Sequence, residues 1–195
     1  MSDIPSQGRI SAGVKGIKLI EGLVIDKQRV HPRMPKVVKD AKIALFTTQM
    51  ENKKTEVDAQ ISIKAPSAMQ SFLDQEQENL KAMVDKVVEA GANVVFCQKG
   101  VDELVQHYLA KNGILGYRRL KQSDLEAIAK ATGGKLVGEI MELKPSDLGV
   151  AAQVEEKDVG VDSMTFITGC KNPKAVSIVI RGGTEHVIDE VERAM

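Results

Sequence analysis

Residues 93–140 read NVVFCQKGVDELVQHYLAKNGILGYRRLKQSDLEAIAKATGGKLVGEI, and this stretch decides the fold. Short apolar runs alternate with two segments whose apolar residues recur at helical spacing. Gly113 and Gly133 end the two helical segments. The alternation predicts a βαβαβ unit with parallel strands and right-handed crossovers, and so an α/β fold. The predicted strands are residues 93–97, 114–118 and 135–140, and the predicted helices are residues 101–112 and 123–132.

Upstream of this unit the sequence predicts one long helix over residues 67–90. Pro66 and the capping pair Ser67 and Gln70 open it, and Gly91 closes it. At about 1.5 Å per residue a continuous helix here is about 36 Å long. Its apolar residues form two patches separated by the polar residues 74–79. The first patch is Met69, Phe72 and Leu73, and the second is Leu80, Met83, Val84, Val87 and Val88.

A helix that lies along one core keeps its apolar face continuous, so the split predicts that the two patches serve different surfaces. The second patch is expected to pack on the domain body. The first is expected near the tip of an excursion that leaves the sheet after Ile63 and returns at Asn93. In the alternative interpretation, another part of the same chain covers the first patch.

The remaining segments predict further strands. Residues 22–27 and 42–46 are apolar runs, and residues 57–63 alternate between apolar and polar, as in a strand with one wet face. The C-terminal third predicts a β-rich layer followed by a helix over residues 184–195. Residues 1–20 have no clear periodicity and fit a linker, an edge element or a boundary segment. The strands of the β-rich layer are residues 150–155, 163–168 and 176–181.

The composition argues against some classes of function. The 27 basic residues balance the 27 acidic ones, and aromatic residues make up 3% of the chain with no Trp. A long-range positive field and aromatic stacking platforms are therefore missing, which argues against nucleic acid. No apolar stretch is long enough to span a bilayer or to act as a signal peptide, and we expect a cytoplasmic chain. Cys97 and Cys170 lack metal-site spacing and are expected to be reduced, buried thiols.

Motifs for catalysis are missing from the sequence. The Gly133-Gly134-Lys135 run is not a phosphate loop, because Ala129 stands where the first loop glycine is required. The histidines lie far from one another in sequence, without metal-ligand spacing, and no nucleophile elbow is present. Arg118 and Arg119 are interpreted as solvated loop residues. We expect a non-catalytic binding module with no cofactor and no metal.

Long stretches of the sequence nevertheless resemble the apical domain of group II chaperonins, the archaeal thermosome and its eukaryotic cytosolic relative. The resemblance covers residues 22–195 and rests on ordered motifs. These are GLVIDKQRVHPRMP, GANVVFCQKGVDELVQHYLAKNGILGYRRLKQSDLEAIAKATGG, DLGVAAQVEEKDVGVDSMTFITGCKNPKAVSIVIRGG and TEHVIDEVERAM. Three departures stand out. Residues 1–18 do not match the usual preceding segment, Arg33 stands where Gly is common, and Gly116-Tyr117 replaces a small-aliphatic pair.

The resemblance implies a swivelling β/β/α apical fold with a βαβαβ core, a β-rich layer and a protruding helical lid over residues 63–94. It also implies that unfolded client protein is held by this protrusion, by the helix matching residues 101–113 and by the loop at residues 47–55. The substrate-binding residues expected from it are Met69, Phe72, Leu73, Leu104, Val105, Gln106, Tyr108, Leu109, Lys111, Lys53 and Lys54, with two or three of those on the helix expected to point into the core.

The same resemblance implies a domain division and a set of partners. Residues 22–175 are expected to form the apical domain, residues 176–195 an intermediate-domain remnant, and residues 1–21 a boundary or intermediate-domain segment. Family members assemble as double rings and hydrolyse ATP with Mg²⁺ in an equatorial domain, whose motifs this sequence lacks. We therefore expect this chain to bind clients without hydrolysing ATP.

Two other functions are compatible with the sequence. A naturally short relative could join or modulate chaperonin rings without binding clients. A small-molecule enzyme could use the carboxyl ends of the parallel strands, where α/β sheets place ligands. The fold alone supports the enzyme hypothesis, because no base or nucleophile is assembled in the sequence.

Overall fold

The computed structural model describes residues 14–51, 66–159, 162–170 and 176–194. Inside these ranges the side chains of some residues are not described. They are residues 14–18 in the first strand, residues 66–73 in the first helix and several residues after 180. The strands are β1 (Val14–Ile25), β2 (Val37–Phe46), β3 (Val94–Cys97), β4 (Leu115–Tyr117), β5 (Leu136–Val137), β6 (Gly149–Val159), β7 (Asp162–Cys170) and β8 (Val176–Gly182). The helices are α1 (Pro66–Glu89), α2 (Glu103–Lys111), α3 (Gln122–Thr132) and α4 (Glu185–Ala194).

The parallel unit predicted from residues 93–140 is confirmed. β2 pairs in parallel with β3, β3 with β4, and β2 also with β5. Going from β2 to β4 the chain moves in one direction across the sheet, and from β4 to β5 it returns. Right-handed crossovers then place α1 and α2 on one face and α3 on the other. Consistently, α1 packs on α2, whereas α3 contacts β1 and β6.

The β-rich layer continues the same sheet, whose strand order is β4-β3-β2-β6-β7-β1-β8 with β5 beside β2. The pairs β2–β6, β6–β7, β7–β1 and β1–β8 are all antiparallel. β1 begins at Val14, eight residues before the predicted strand. Its first half pairs with β8 and its second half, from Gly22, pairs with β7. The predicted domain division near residue 21 stays a prediction.

The core lies between the sheet and the helices. On α1 the side chains of Leu80, Val84 and Val87 are buried. Val88 was expected in the same buried patch, but it is 43% exposed, because its position turns away from the stripe of buried residues. The polar side chains of residues 74–79 are exposed or half-buried, so among the described side chains of α1 the contact with the core begins at Leu80. The side chains of the first patch and residues 57–63 lie outside the described residues.

The starts of α1 and α3 differ from the prediction. Gly133 does end α3 in the left-handed conformation, at φ 74°. α3 begins at Gln122, one residue before the predicted start at Ser123, and its N-cap is Lys121, which makes no side-chain cap hydrogen bond. α1 likewise begins at Pro66, which places Ser67 inside the helix.

The unusual Gly116-Tyr117 pair has a packing explanation. The Tyr117 ring is fully buried and stacks on Phe96 with the ring centroids 4.8 Å apart. Gly116 leaves room for its neighbours, because a Cβ there would lie 3.3 Å from the Met34 Cε and 3.4 Å from Val30. The Gly116 N–H donates to the Met34 Sδ at 3.3 Å. The pair therefore fills the core between β4 and the loop after β1.

Candidate binding surface

Helix α2 carries most of the residues expected to bind clients, and its ends are well defined. The Asp102 carboxylate accepts a hydrogen bond from the Leu104 N–H at 2.8 Å and caps the first turn. At the other end the Asn112 side-chain amide donates to the Tyr108 carbonyl at 2.9 Å. Gly113 follows with φ 70°, in the left-handed region that favours glycine. The helix is thus fixed at both ends.

Three of the expected contact residues on α2 are corrected by their burial. Val105 and Leu109 are fully buried, because they form the stripe that faces the core. Gln106 is 6% exposed, and its Nε2 donates to the Val101 carbonyl at 2.8 Å, which is a structural role. None of these three side chains is on the surface that a client could contact.

The surface of α2 consists of the other expected residues and two that the sequence reasoning missed. Leu104 is 39% exposed, Lys111 is exposed, and Tyr108 is half-buried against the core. Glu103 and His107 are also exposed. The His107 ring lies edge-on to the His31 ring, with 6.4 Å between the centroids. Helical spacing from the buried Val105 could have identified His107, because residues two apart lie on different faces.

The loop after β2 starts beside the N-terminus of α2. The Met50 N–H donates to the Gly100 carbonyl at 3.0 Å, and the Asp102 N–H donates to the Met50 carbonyl at 2.9 Å. The Met50 side chain is fully buried. These bonds bring together two of the three segments that the resemblance assigns to client binding. Lys53 and Lys54 lie outside the described residues, as do the side chains of Met69, Phe72 and Leu73.

The end of β3 anchors this junction through Cys97. Its thiol is fully buried and donates to the Thr48 carbonyl at 3.0 Å. Burial raises the pKa of Cys97 to about 11, from an ordinary value of 9.0. The thiol is therefore neutral at pH 7 and acts as a core side chain rather than a nucleophile. Burial also raises the pKa of Cys170, which is half-buried.

A second exposed group near this junction was not selected by the sequence reasoning. Lys99 follows β3, and Arg118, Arg119 and Lys121 lie between β4 and α3; all four are exposed. The Arg119 N–H donates to the Lys99 carbonyl at 3.1 Å, which joins the two loops. The adjacent pair of arginines was the available signal, but their proximity to Lys99 depends on the pairing of β3 with β4.

Within the described part of the chain, no three metal-ligating side chains lie together. No described helix is both long and apolar enough to cross a membrane.

Comparison with known families defines the class of protein. Residues 9–195 match the model of the TCP-1/cpn60 chaperonin family. The chain therefore belongs to that family. The match begins before residue 18, so the expected departure of the N-terminal segment from the family is wrong.

The similar relatives are thermosome subunits from archaea. A thermosome subunit of Pyrococcus horikoshii is 56% identical over 195 residues, which is 100% of this chain and 36% of that protein. Thermosome subunit alpha of Thermoplasma acidophilum is 57% identical over 182 residues, 93% of this chain and 33% of that protein. The chain thus spans about a third of the length of the curated relatives it matches.

Among solved structures, the chain is similar to the open-state monomer of a group II chaperonin from Methanococcoides burtonii. The TM-score is 0.76 at 40% sequence identity, over 91% of this chain and 38% of that one. At this identity the likeness extends beyond the general fold. The group II chaperonin resemblance and the α/β fold class are both confirmed.

Proposed function

We propose that this chain is the apical, client-binding part of a group II chaperonin subunit, and that it captures non-native polypeptide at the junction of α2 with the loop after β2. The observation that carries the proposal is the pair of hydrogen bonds joining Met50 to Gly100 and Asp102. They place that loop against the first turn of α2, where Leu104 is exposed. An extended client segment needs such a site, with apolar surface beside polar groups.

The affinity of one such surface is low. Burying an exposed leucine contributes about 1.5 to 3 kcal/mol, and association itself costs more than a single contact returns. A ring of subunits would present several copies at high effective concentration. The proposal therefore has three parts. Subunits assemble into a ring, the ring captures the client, and ATP hydrolysis elsewhere in a full-length subunit drives folding. In it, this chain holds no nucleotide and no Mg²⁺.

We further propose that the N-terminal half of α1 projects as part of a built-in lid. The exposed or half-buried polar residues 74–79 support this, since they separate the buried Leu80 from the N-terminal turns of α1. A helix packed along its whole length on the sheet would bury one face throughout.

The test is aggregation of a chemically denatured client, followed by light scattering with the chain in molar excess. The chain should slow aggregation, and Leu104→Gln should weaken this effect severalfold without changing the thermal unfolding curve. Leu19→Gln is the matched control, because Leu19 is 45% exposed and lies at the opposite end of the sheet on β1. Equal effects of the two substitutions would contradict the proposed site.

A further inference from the structure

Four exposed cations lie at one corner of the molecule, beside the first turn of α2. Lys99 is in the loop after β3, and Arg118, Arg119 and Lys121 are in the loop between β4 and α3. Two backbone hydrogen bonds join these loops: the Arg119 N–H donates to the Lys99 carbonyl at 3.1 Å, and the Leu120 N–H donates to the Cys97 carbonyl at 3.2 Å. We call Lys99, Arg118, Arg119 and Lys121 the basic corner.

The four cations of the basic corner form no ion pair within the described part of the chain. Four acidic residues lie near the corner without pairing with it: Asp102 caps α2, Glu103 is exposed in the first turn of α2, Glu51 lies against Gly100, and Asp124 is half-buried in the first turn of α3. The corner is therefore a group of four exposed cations that are free to pair with carboxylates of a partner.

The start of α3 adds to this positive potential. Its N-cap, Lys121, makes no side-chain cap hydrogen bond, and Gln122 and Ser123 in the first turn are exposed. The first N–H groups of a helix have no intrahelical acceptor, and the helix dipole favours negative charge there. Arg119 is held in the left-handed region, at φ 54°, by its bond to Lys99. The backbone thus fixes the loop that carries the arginines.

We propose that the basic corner binds acidic stretches of non-native polypeptide, so that preferred client segments carry Asp or Glu residues beside an apolar stretch that meets Leu104. This inference rests on the proposed function and names its substrate class. Guanidinium groups bind carboxylates with paired hydrogen bonds, which suits an acidic chain segment. Nucleic acid fits less well, because the basic corner contains no aromatic side chain on which bases could stack.

The experiment uses three fluorescent peptides with one apolar centre and flanks of Asp and Glu, of Gly and Ser, or of Lys and Arg. Binding to the full chain is measured by fluorescence anisotropy. The acidic peptide should bind about tenfold more tightly than the Gly/Ser peptide, which corresponds to about 1.4 kcal/mol. This advantage should shrink as salt is raised, since the charges are exposed. Equal affinity for all three peptides would overturn the inference.

Two double variants locate the effect. Arg118→Gln with Lys121→Gln should reduce the advantage of the acidic peptide to about twofold and leave the Gly/Ser peptide unchanged. Lys81→Gln with Lys130→Gln is the control, because both lysines are exposed on helices away from the basic corner. An advantage that survives in the first variant would overturn the inference, as would tighter binding of oligouridylate than of the acidic peptide. Failure of all three peptides to bind would overturn the proposed function itself.

Discussion

The units β3–α2 and β4–α3 are consecutive in the chain and similar in design, yet the N-caps of their helices differ in charge. Both helices bury an apolar stripe, with Val105 and Leu109 on α2 and Leu125 and Ile128 on α3. α2 starts with a carboxylate cap at Asp102 and an acidic Glu103. α3 starts at the cation Lys121, which makes no side-chain cap hydrogen bond, and its first turn contains the half-buried Asp124.

This difference gives the two helix starts separate roles: the start of α2 stabilises the fold, and the start of α3 presents charge to a partner. The carboxylates at α2 satisfy an N–H group and complement the helix dipole, so this helix end is stabilised within the chain. At α3 the cation at the N-cap opposes the dipole and Asp124 in the first turn offsets it in part, while the exposed cations remain available to a partner. Within one fold, the first arrangement fixes the helix that carries Leu104, and the second keeps the basic corner unpaired. The following changes test that division.

The largest effect is expected from a charge in the stripe that α2 buries. Val105→Asp places a carboxylate at a fully buried position without a partner, so it should cost several kcal/mol and unfold the chain. Leu104→Asp, one residue earlier and 39% exposed, should change the free energy of unfolding by less than about 1 kcal/mol. Urea denaturation followed by circular dichroism measures both. Comparable losses would mean that α2 is not oriented as described.

The next effect is a fall in the free energy of unfolding with rising pH, caused by the buried Cys97 on β3 and Tyr117 on β4. The pKa of Cys97 on β3 is raised to about 11 from 9.0, so the unfolded chain loses this proton first as pH rises. The folded state is then fully favoured below pH 9, and the free energy of unfolding falls between pH 9 and pH 11. The loss is about 3 kcal/mol. Burial also raises the pKa of Tyr117 on β4, which adds a loss above pH 10.

Cys97→Ser is the matched variant, since serine keeps a donor for the Thr48 carbonyl and does not ionise in this range. Denaturant unfolding of both proteins at several pH values should give curves that converge as pH rises from 9 to 10, before Tyr117 contributes. A constant difference between them would show that the Cys97 thiol is not responsible.

The two β–α units also show what a single sequence can establish. Their strands, helices and parallel pairing were predicted because apolar periodicity and the glycines at 113 and 133 are local signals. Helical spacing shows which residues of α2 share a face, but it does not show which face is buried until one buried residue is known. The first half of β1 was missed because its partner, β8, lies some 160 residues further along the chain. No local pattern encodes such a pairing.

The candidate surface was predicted only in part, because local spacing does not show which face of a helix is buried. Leu104, Tyr108 and Lys111 are accessible as expected, whereas Val105, Gln106 and Leu109 belong to the buried side of α2. The basic corner escaped prediction because Lys99 and Arg119 are distant in sequence and meet only through the pairing of β3 with β4. Sites built from two loops require the strand order before they can be recognised.

The smallest effect is expected from changing the N-cap residues of the two helices, and these changes test the comparison most directly. Asp102→Ala removes the cap of α2 and should lower the free energy of unfolding by about 1 kcal/mol. Lys121→Ser gives α3 a side-chain cap that it lacks, and should be more stable than Lys121→Ala by about 0.5 to 1 kcal/mol. Both Lys121 variants lose one cation of the basic corner, so they should weaken binding of the acidic peptide equally while differing in stability. If the serine variant were no more stable than the alanine variant, the N-terminus of α3 would already be satisfied by other groups, and its contribution to the positive potential of the basic corner would be lost.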